Sequence, residues 1–321
     1  MAASNTQDDP IHELRKEQGI SPDFPFQPKT MEIRGSKMSY IDEGQGDPIF
    51  FMHGNPTWSY VWRNVIPHLT SHARVIAPDL MGSGRSDKLD RYGFLIHTQY
   101  IQEFIDKLGL NRITLVGHDW GSGVIFHIAN TNQSKIKGLV FLEALLKTYD
   151  TWNDFTSPSA DARLRALFSS FRTERGDELV VREGIMLPQM FSLTGRPLSE
   201  EEKSRYEEPL KTPKDREVIL RWVRDLPVAN DPPDVFKAVQ SYSEFLCTTR
   251  IPKLLLYTNP GAILRKEHQV WCQQNLKYLS MVNLDPSNTT TIQCLMERYP
   301  KTIGEAILEW YKPWDFVGST W

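Results

Sequence analysis

Short apolar runs recur along this chain, separated by stretches with helical spacing. Residues 29–34, 36–42, 49–52, 74–77, 113–116, 138–142, 253–257 and 279–284 read as strands. Between them, residues 60–68, 97–108 and 123–131 carry apolar positions three and four apart and read as helices. Strands alternating with helices predict an α/β fold, a mostly parallel sheet covered by helices on both faces. Each crossover between parallel strands is expected to be right-handed. The rhythm stops between about residues 148 and 239, a charged and aromatic stretch with no continuous apolar strand. Here residues 161–171, 199–206 and 213–225 show helical patterns. The predicted organisation is an arm over residues 1–27, a core over 28–147 and 240–316, and a helical cap over 148–239 inserted after a strand ending near Glu143. The arm is polar and proline-containing, and a loose segment with one helical turn is expected. A second helical domain with only a packing role is the plainer alternative for the cap.

Composition narrows the class. With 321 residues, 40% hydrophobic and 24% charged, the chain suits a soluble enzyme with one substantial core. A net charge of −3 with scattered basic residues argues against nucleic acid or an anionic membrane as a partner. Cys247, Cys272 and Cys294 lack metal-like spacing and fit free thiols in a reducing compartment. The first residues carry no apolar signal core, and no run is long enough to span a bilayer, so a cytoplasmic location is expected. No metal or organic cofactor is implied. Asp79, with its Gly82-x-Gly84 turn, reads as structural and does not follow a dinucleotide-site pattern.

The richest stretch is Gly117-His118-Asp119-Trp120-Gly121, between the strand at 113–116 and the helix at 123–131. A Gly-x-nucleophile-x-Gly turn at a strand-to-helix junction is the nucleophile elbow of α/β-hydrolases. The central side chain is the carboxylate of Asp119. Attack through a carboxylate oxygen forms an alkyl ester, which suits displacement at saturated carbon such as dehalogenation or epoxide opening. Serine would favour acyl transfer instead. Upstream, His53-Gly54-Asn55-Pro56-Thr57 follows a strand where this architecture places an oxyanion-binding loop. The Asn55 amide and the Trp120 indole N–H are neutral donors, suited to cradling a departing halide. Each also has a plainer reading, Asn55 as a turn residue before proline and Trp120 as a core aromatic.

These residues resemble the haloalkane dehalogenase family, whose fold also includes the Renilla-type luciferases. The similarity runs from about residue 30 to 312. It covers 53–57 with 59–64, 78–87 and 117–121, and continues in Phe171-Arg172-Thr173, Leu187-Pro188 and Arg196-Pro197-Leu198. Phe141-Leu142-Glu143-Ala144 resembles the strand end that carries the acid in one large subgroup. The resemblance implies Asp119 as nucleophile, Asn55 and Trp120 as halide stabilisers, and Glu143 as the acid orienting a histidine. It also implies a small apolar substrate, possibly halogenated. A strand-end ion pair is the plainer reading of Glu143. Trp58, Phe168, Phe171 and Leu187 are candidate pocket residues, or simply core side chains.

One departure stands out. The family places its water-activating histidine shortly before a Glu-x-x-Pro helix start. Matching Glu297 and Pro300 to that start puts Gln293 at the histidine position, and no histidine occurs after His268. A glutamine amide cannot accept a proton near neutrality, so hydrolytic turnover is expected to be impaired or altered. Three other readings remain at this point. One is a repurposed biosynthetic enzyme or ligand-binding protein, and another is a coelenterazine-type luciferase. The third is an epoxide hydrolase using Tyr149, Tyr206 or Tyr242.

Overall fold

The computed structural model describes residues 10–156 and 162–312. Its eight strands are β1 (Lys29–Ile33), β2 (Ser36–Glu43), β3 (Pro48–Met52), β4 (Arg74–Pro78), β5 (Ile113–His118), β6 (Ile136–Leu142), β7 (Lys253–Tyr257) and β8 (Leu279–Asn283). They form one sheet in the order β1-β2-β4-β3-β5-β6-β7-β8. Only the β1–β2 and β2–β4 pairs are antiparallel, and the rest are parallel. Every residue of the central β3 and β5 is buried. That follows from their largely apolar sequences, broken in β5 only by Thr114 and His118, since a strand covered on both faces has no polar side to show.

Helices α1 (Pro10–Gln18), α2 (Phe94–Lys107) and α3 (Trp120–Thr131) precede β6. Between β6 and β7 the described chain carries seven α-helices, besides a π turn and two 3-10 turns, and no strand. They are α4 (Trp152–Thr156), α5 (Ala162–Ser170), the short turn α6 (Glu174–Gly176), α7 (Met186–Ser192), α8 (Glu200–Glu207), α9 (Glu217–Arg224) and α10 (Pro233–Thr248). Two more, α11 (Lys266–Asn275) and α12 (Pro300–Tyr311), complete the fold. Helices α2 and α10 both pack on α3, whereas α12 packs against β7 and α1. The residue 239/240 boundary expected from sequence falls inside α10, and the expected helix start at Asp161 lies outside the described residues.

Two sequence expectations differ from the structure. Residues 60–68 form two 3-10 turns, Ser59–Trp62 and Ile66–His68, not one helix. Pro67 has no N–H to donate and its ring crowds the preceding turn, so a continuous helix there is unfavourable. The segment after α1 is also anchored. Arg15 pairs with Glu202 at 2.7 Å, Tyr60 Oη donates to Pro22 O at 2.6 Å, and the Phe24 ring lies 5.4 Å from that of Trp58.

Candidate active site

Asp119 sits where β5 turns into α3, with φ 53° and ψ −128°. This region is costly for a side chain bearing Cβ and persists only where surroundings impose it. The imposition is visible at Gly121, where an added Cβ would collide with the Met52 and His53 carbonyls. Strand β3 and the elbow therefore touch backbone to backbone, which aims the Asp119 carboxylate at the loop after β3. Its Oδ1 accepts the Asn55 N–H at 2.8 Å. The Trp120 backbone N–H and the side-chain amide of Gln293 are near enough to lower its carboxyl as well. Burial outweighs these donors and pushes the carboxyl up to about 6. It remains mostly ionised at neutral pH, so it can attack carbon.

Gln293 therefore lies near Asp119, and one end of its amide is fixed by a neighbour. Only the NH2 end can donate to a carboxylate. The Oε1 end accepts the Cys294 thiol proton at 2.9 Å. Burial pushes that thiol well above its ordinary value, so it keeps its proton. The backbone at this point is equally constrained. Leu193 O, at the end of α7, accepts the N–H groups of Gln293 at 2.8 Å and Cys294 at 3.1 Å. His118 Nε2 lies 2.9 Å from Gln293 O. A carbonyl only accepts, so the proton is on Nε2, and burial pushes the imidazole down to about 4, leaving it neutral.

Glu143 follows β6 with φ 42° and is fully buried. Its Oε2 accepts from the N–H groups of Ile263 and, at 3.3 Å, Leu264. The Ala262 N–H adds a third donor, and burial pushes the carboxyl up to about 7 despite them. Its Oε1 has no partner among the described residues. The sequence showed the Asn259-Pro260-Gly261 turn but not that it delivers these amides.

None of the eight histidines bonds Asp119 among the described residues. His53 bridges the Gly54 carbonyl and the Leu80 N–H, both at 2.9 Å. His97 stacks on Trp222 at 4.3 Å, and His268 lies 3.4 Å from Tyr149 Oη. The remaining neutral donors face the helical insertion. Asn55 Nδ2 reaches Ile219 O of α9 at 3.4 Å. The Trp120 ring packs 5.5 Å from Phe94 and 5.1 Å from Trp222, also of α9.

The four candidate pocket residues scatter. Trp58 donates to Arg205 O at 3.2 Å and stacks 5.3 Å from Tyr60, away from the Asp119 cluster. Phe168 meets Phe155 at 5.3 Å and Phe171 at 5.8 Å. Phe171 is buried beneath α9, where Arg224 Nε donates to its carbonyl at 3.1 Å. Leu187 is buried on α7.

The fold recurs in known proteins. The α/β-hydrolase fold family matches residues 47–241. A haloalkane dehalogenase of Sphingobium indicum is 38% identical over 287 residues, covering 87% of this chain and 93% of its own. The chain belongs to the haloalkane dehalogenase family of α/β-hydrolases. A haloalkane dehalogenase of Mycolicibacterium smegmatis is 36% identical, covering 86% and 88% of the two chains. The crystal structure of a haloalkane dehalogenase from Bradyrhizobium elkani superposes with TM-score 0.85 at 30% identity, covering 91% of this chain and all of that one. An ancestral haloalkane dehalogenase gives 0.83 at 34% identity, covering 89% and 99%. Within this haloalkane dehalogenase fold, the residues that sequence reasoning missed are those holding Gln293, namely His118, Leu193 and Cys294. Cys294 was visible only as a scattered cysteine, and its adjacency to Gln293 was the available signal.

Proposed function

We propose that this chain is a haloalkane dehalogenase-like hydrolase acting at sp³ carbon of a small apolar substrate, with impaired hydrolytic turnover. An Asp119 oxygen attacks the carbon that bears the halogen. The new C–O bond forms as the C–halogen bond breaks, and the halide leaves with the electron pair. The Asn55 amide and the Trp120 indole N–H are the donors assigned to it. The indole N–H has no partner among the described residues, and the 3.4 Å contact of Asn55 with Ile219 O is a weak one to exchange. The product is an alkyl ester on Asp119. The observation that carries the reading is the buried Asp119 carboxylate on its strained elbow, accepting the Asn55 N–H at 2.8 Å, with the Gln293 amide rather than an imidazole near enough to lower its carboxyl. An amide supplies orientation without taking a proton, and a missing general base typically costs about 10²–10⁴-fold.

The epoxide-hydrolase reading is disfavoured by its tyrosines. Tyr206 donates to Glu297, Tyr242 to Leu145 O at 2.7 Å, and Tyr149 lies against His268. Each hydroxyl is committed within the protein. The luciferase and binding-protein readings have no observation in their favour.

The test is incubation with 1-bromobutane followed by intact-mass measurement. A single butyl adduct should accumulate on the wild-type chain and not on Asp119→Asn. An unmodified wild-type mass without halide release would reject the reading.

A further inference from the structure

The sheet ends on two edge strands, and the two edges differ. β1 carries Lys29 and Glu32, and Lys107 Nζ donates to the Glu32 carbonyl at 2.9 Å. Charges and a covering side chain of this kind keep an edge from pairing with another chain. β8 has neither. Its sequence, Leu279-Ser280-Met281-Val282-Asn283, holds no charge and no proline. Its one partner in the sheet, among the described residues, is β7. Val270 of α11 and Tyr278, just before β8, are 41% and 54% exposed, the large apolar side chains most open to solvent among the described residues.

Backbone directions show what this edge offers. Tyr278 O accepts the Lys253 N–H at 2.8 Å, and the Leu284 N–H donates to Tyr257 O at 2.9 Å. Both groups therefore face β7. The register between the strands runs unshifted from Leu279 to Asn283, so successive residues turn their backbone groups to opposite sides. Ser280 and Val282 face β7. Leu279, Met281 and Asn283 turn their N–H and C=O groups outward.

We infer that β8 pairs antiparallel with β8 of a second copy of this chain, about a two-fold axis between the two Met281 residues. This register uses the whole strand. Leu279 of one copy meets Asn283 of the other, and Met281 meets Met281. All are outward-facing residues, so about six backbone hydrogen bonds form across the axis. Ser280 and Val282 of opposite copies face each other in the closer pairs between them. Antiparallel pairing also matches charge. Lys277 stands at one end of the strand with Arg250, whose guanidinium lies 5.9 Å over the Tyr278 ring. Asp285 stands at the other end, accepting from the Ser287 hydroxyl and, at 2.9 Å, from Tyr299 Oη. The Arg298 charge acts on Asp285 from beyond ion-pair distance. Lys277 and Asp285 have no ion-pair partner among the described residues, and the two-fold brings the Lys277 end of each copy to the Asp285 end of the other. Because β1 is blunted, a head-to-tail β1–β8 contact is disfavoured, and assembly closes at two copies.

The experiment is sedimentation of the full chain from about 1 to 100 µM, where a monomer–dimer equilibrium should appear. Met281→Pro removes an outward N–H and leaves the bonds to β7 in place. It should raise the dimer dissociation constant at least about tenfold. Lys277→Glu should weaken the dimer too, and more at low salt than at high salt. The double variant Ser280→Cys, Val282→Cys, oxidised in air, should give a covalent dimer on a non-reducing gel, because those positions face each other across the axis. The wild-type chain, oxidised alike, should not. A chain that stays monomeric at every concentration would overturn the inference. So would a dimer that Met281→Pro leaves unmoved, or a cysteine pair that yields no covalent dimer. If Met281→Pro fails to fold, the cross-link and the wild-type sedimentation decide.

Discussion

At the scale of single residues, the chemistry turns on how burial and partners set one carboxyl and one amide. In the proposed reaction Asp119 must be ionised to attack carbon, and its carboxyl lies at about 6. The alkylation rate should therefore be level above pH 7 and drop about tenfold for each unit below 6, since only the ionised fraction reacts. Adduct formation against pH, read by mass, checks this. A flat profile between pH 5 and 8 would contradict the burial-raised carboxyl. Gln293→His places an imidazole near Asp119. Multiple-turnover bromide release should rise by roughly 10²–10⁴-fold, measured with 1-bromobutane. Much of this site was legible in the sequence. Asp119, Trp120 and Asn55 sit in local motifs, and the Glu297–Pro300 register singled out Gln293. His118, Leu193 and Cys294 were not legible as the supports of Gln293, because those contacts join segments far apart in the chain. An aromatic residue beside a motif reveals its apolarity but not which way it faces, and Trp58 faces Tyr60 and Phe24.

At the scale of elements, the helical insertion is joined to the sheet by buried charges. Arg63, after the first 3-10 turn, pairs with Glu297 at 2.6 Å and with Glu202 of α8 at 3.0 Å. Arg196 pairs with Glu202 at 2.6 Å and with Glu297 at 2.5 Å. Glu297 lies in the turn just after Gln293, so the network fixes the loop that carries the amide. Arg196→Leu leaves two buried carboxylates short of a guanidinium and should cost about 3–5 kcal/mol, measured by urea unfolding. These guanidiniums hold Glu202 down at about 2 and Glu297 below its ordinary value. Both contribute stability that is complete above the ordinary carboxylate range and is lost as pH falls through the folded values. The strands were read from sequence to within about two residues, because buried parallel strands are apolar throughout. The stretch at 60–68 was misread, because its apolar spacing suits a helix while Pro67 breaks it into two turns.

For the whole molecule, the titrating groups pull in opposite directions. Burial pushes six histidines down, namely His53, His68, His97, His118, His127 and His268. These stay neutral when folded but protonate on unfolding below about 6.5, so they remove stability as pH falls. Asp119, Glu143 and Asp225 are pushed up and do the reverse, holding protons that the unfolded chain has already released. Six groups against three should make the melting temperature fall by at least about 5 °C from pH 7 to pH 5. Calorimetry would show this, and a rise over that interval would mean the buried carboxyls dominate. The helix at 10–18 and its trailing segment add a separate liability. Proteolytic loss of residues 10–27 would bare the indole of Trp58, uncover the Tyr60 ring and strip Glu202 of its Arg15 partner. A clipped preparation should clump on concentration well before the Asp119 carboxylate is disturbed.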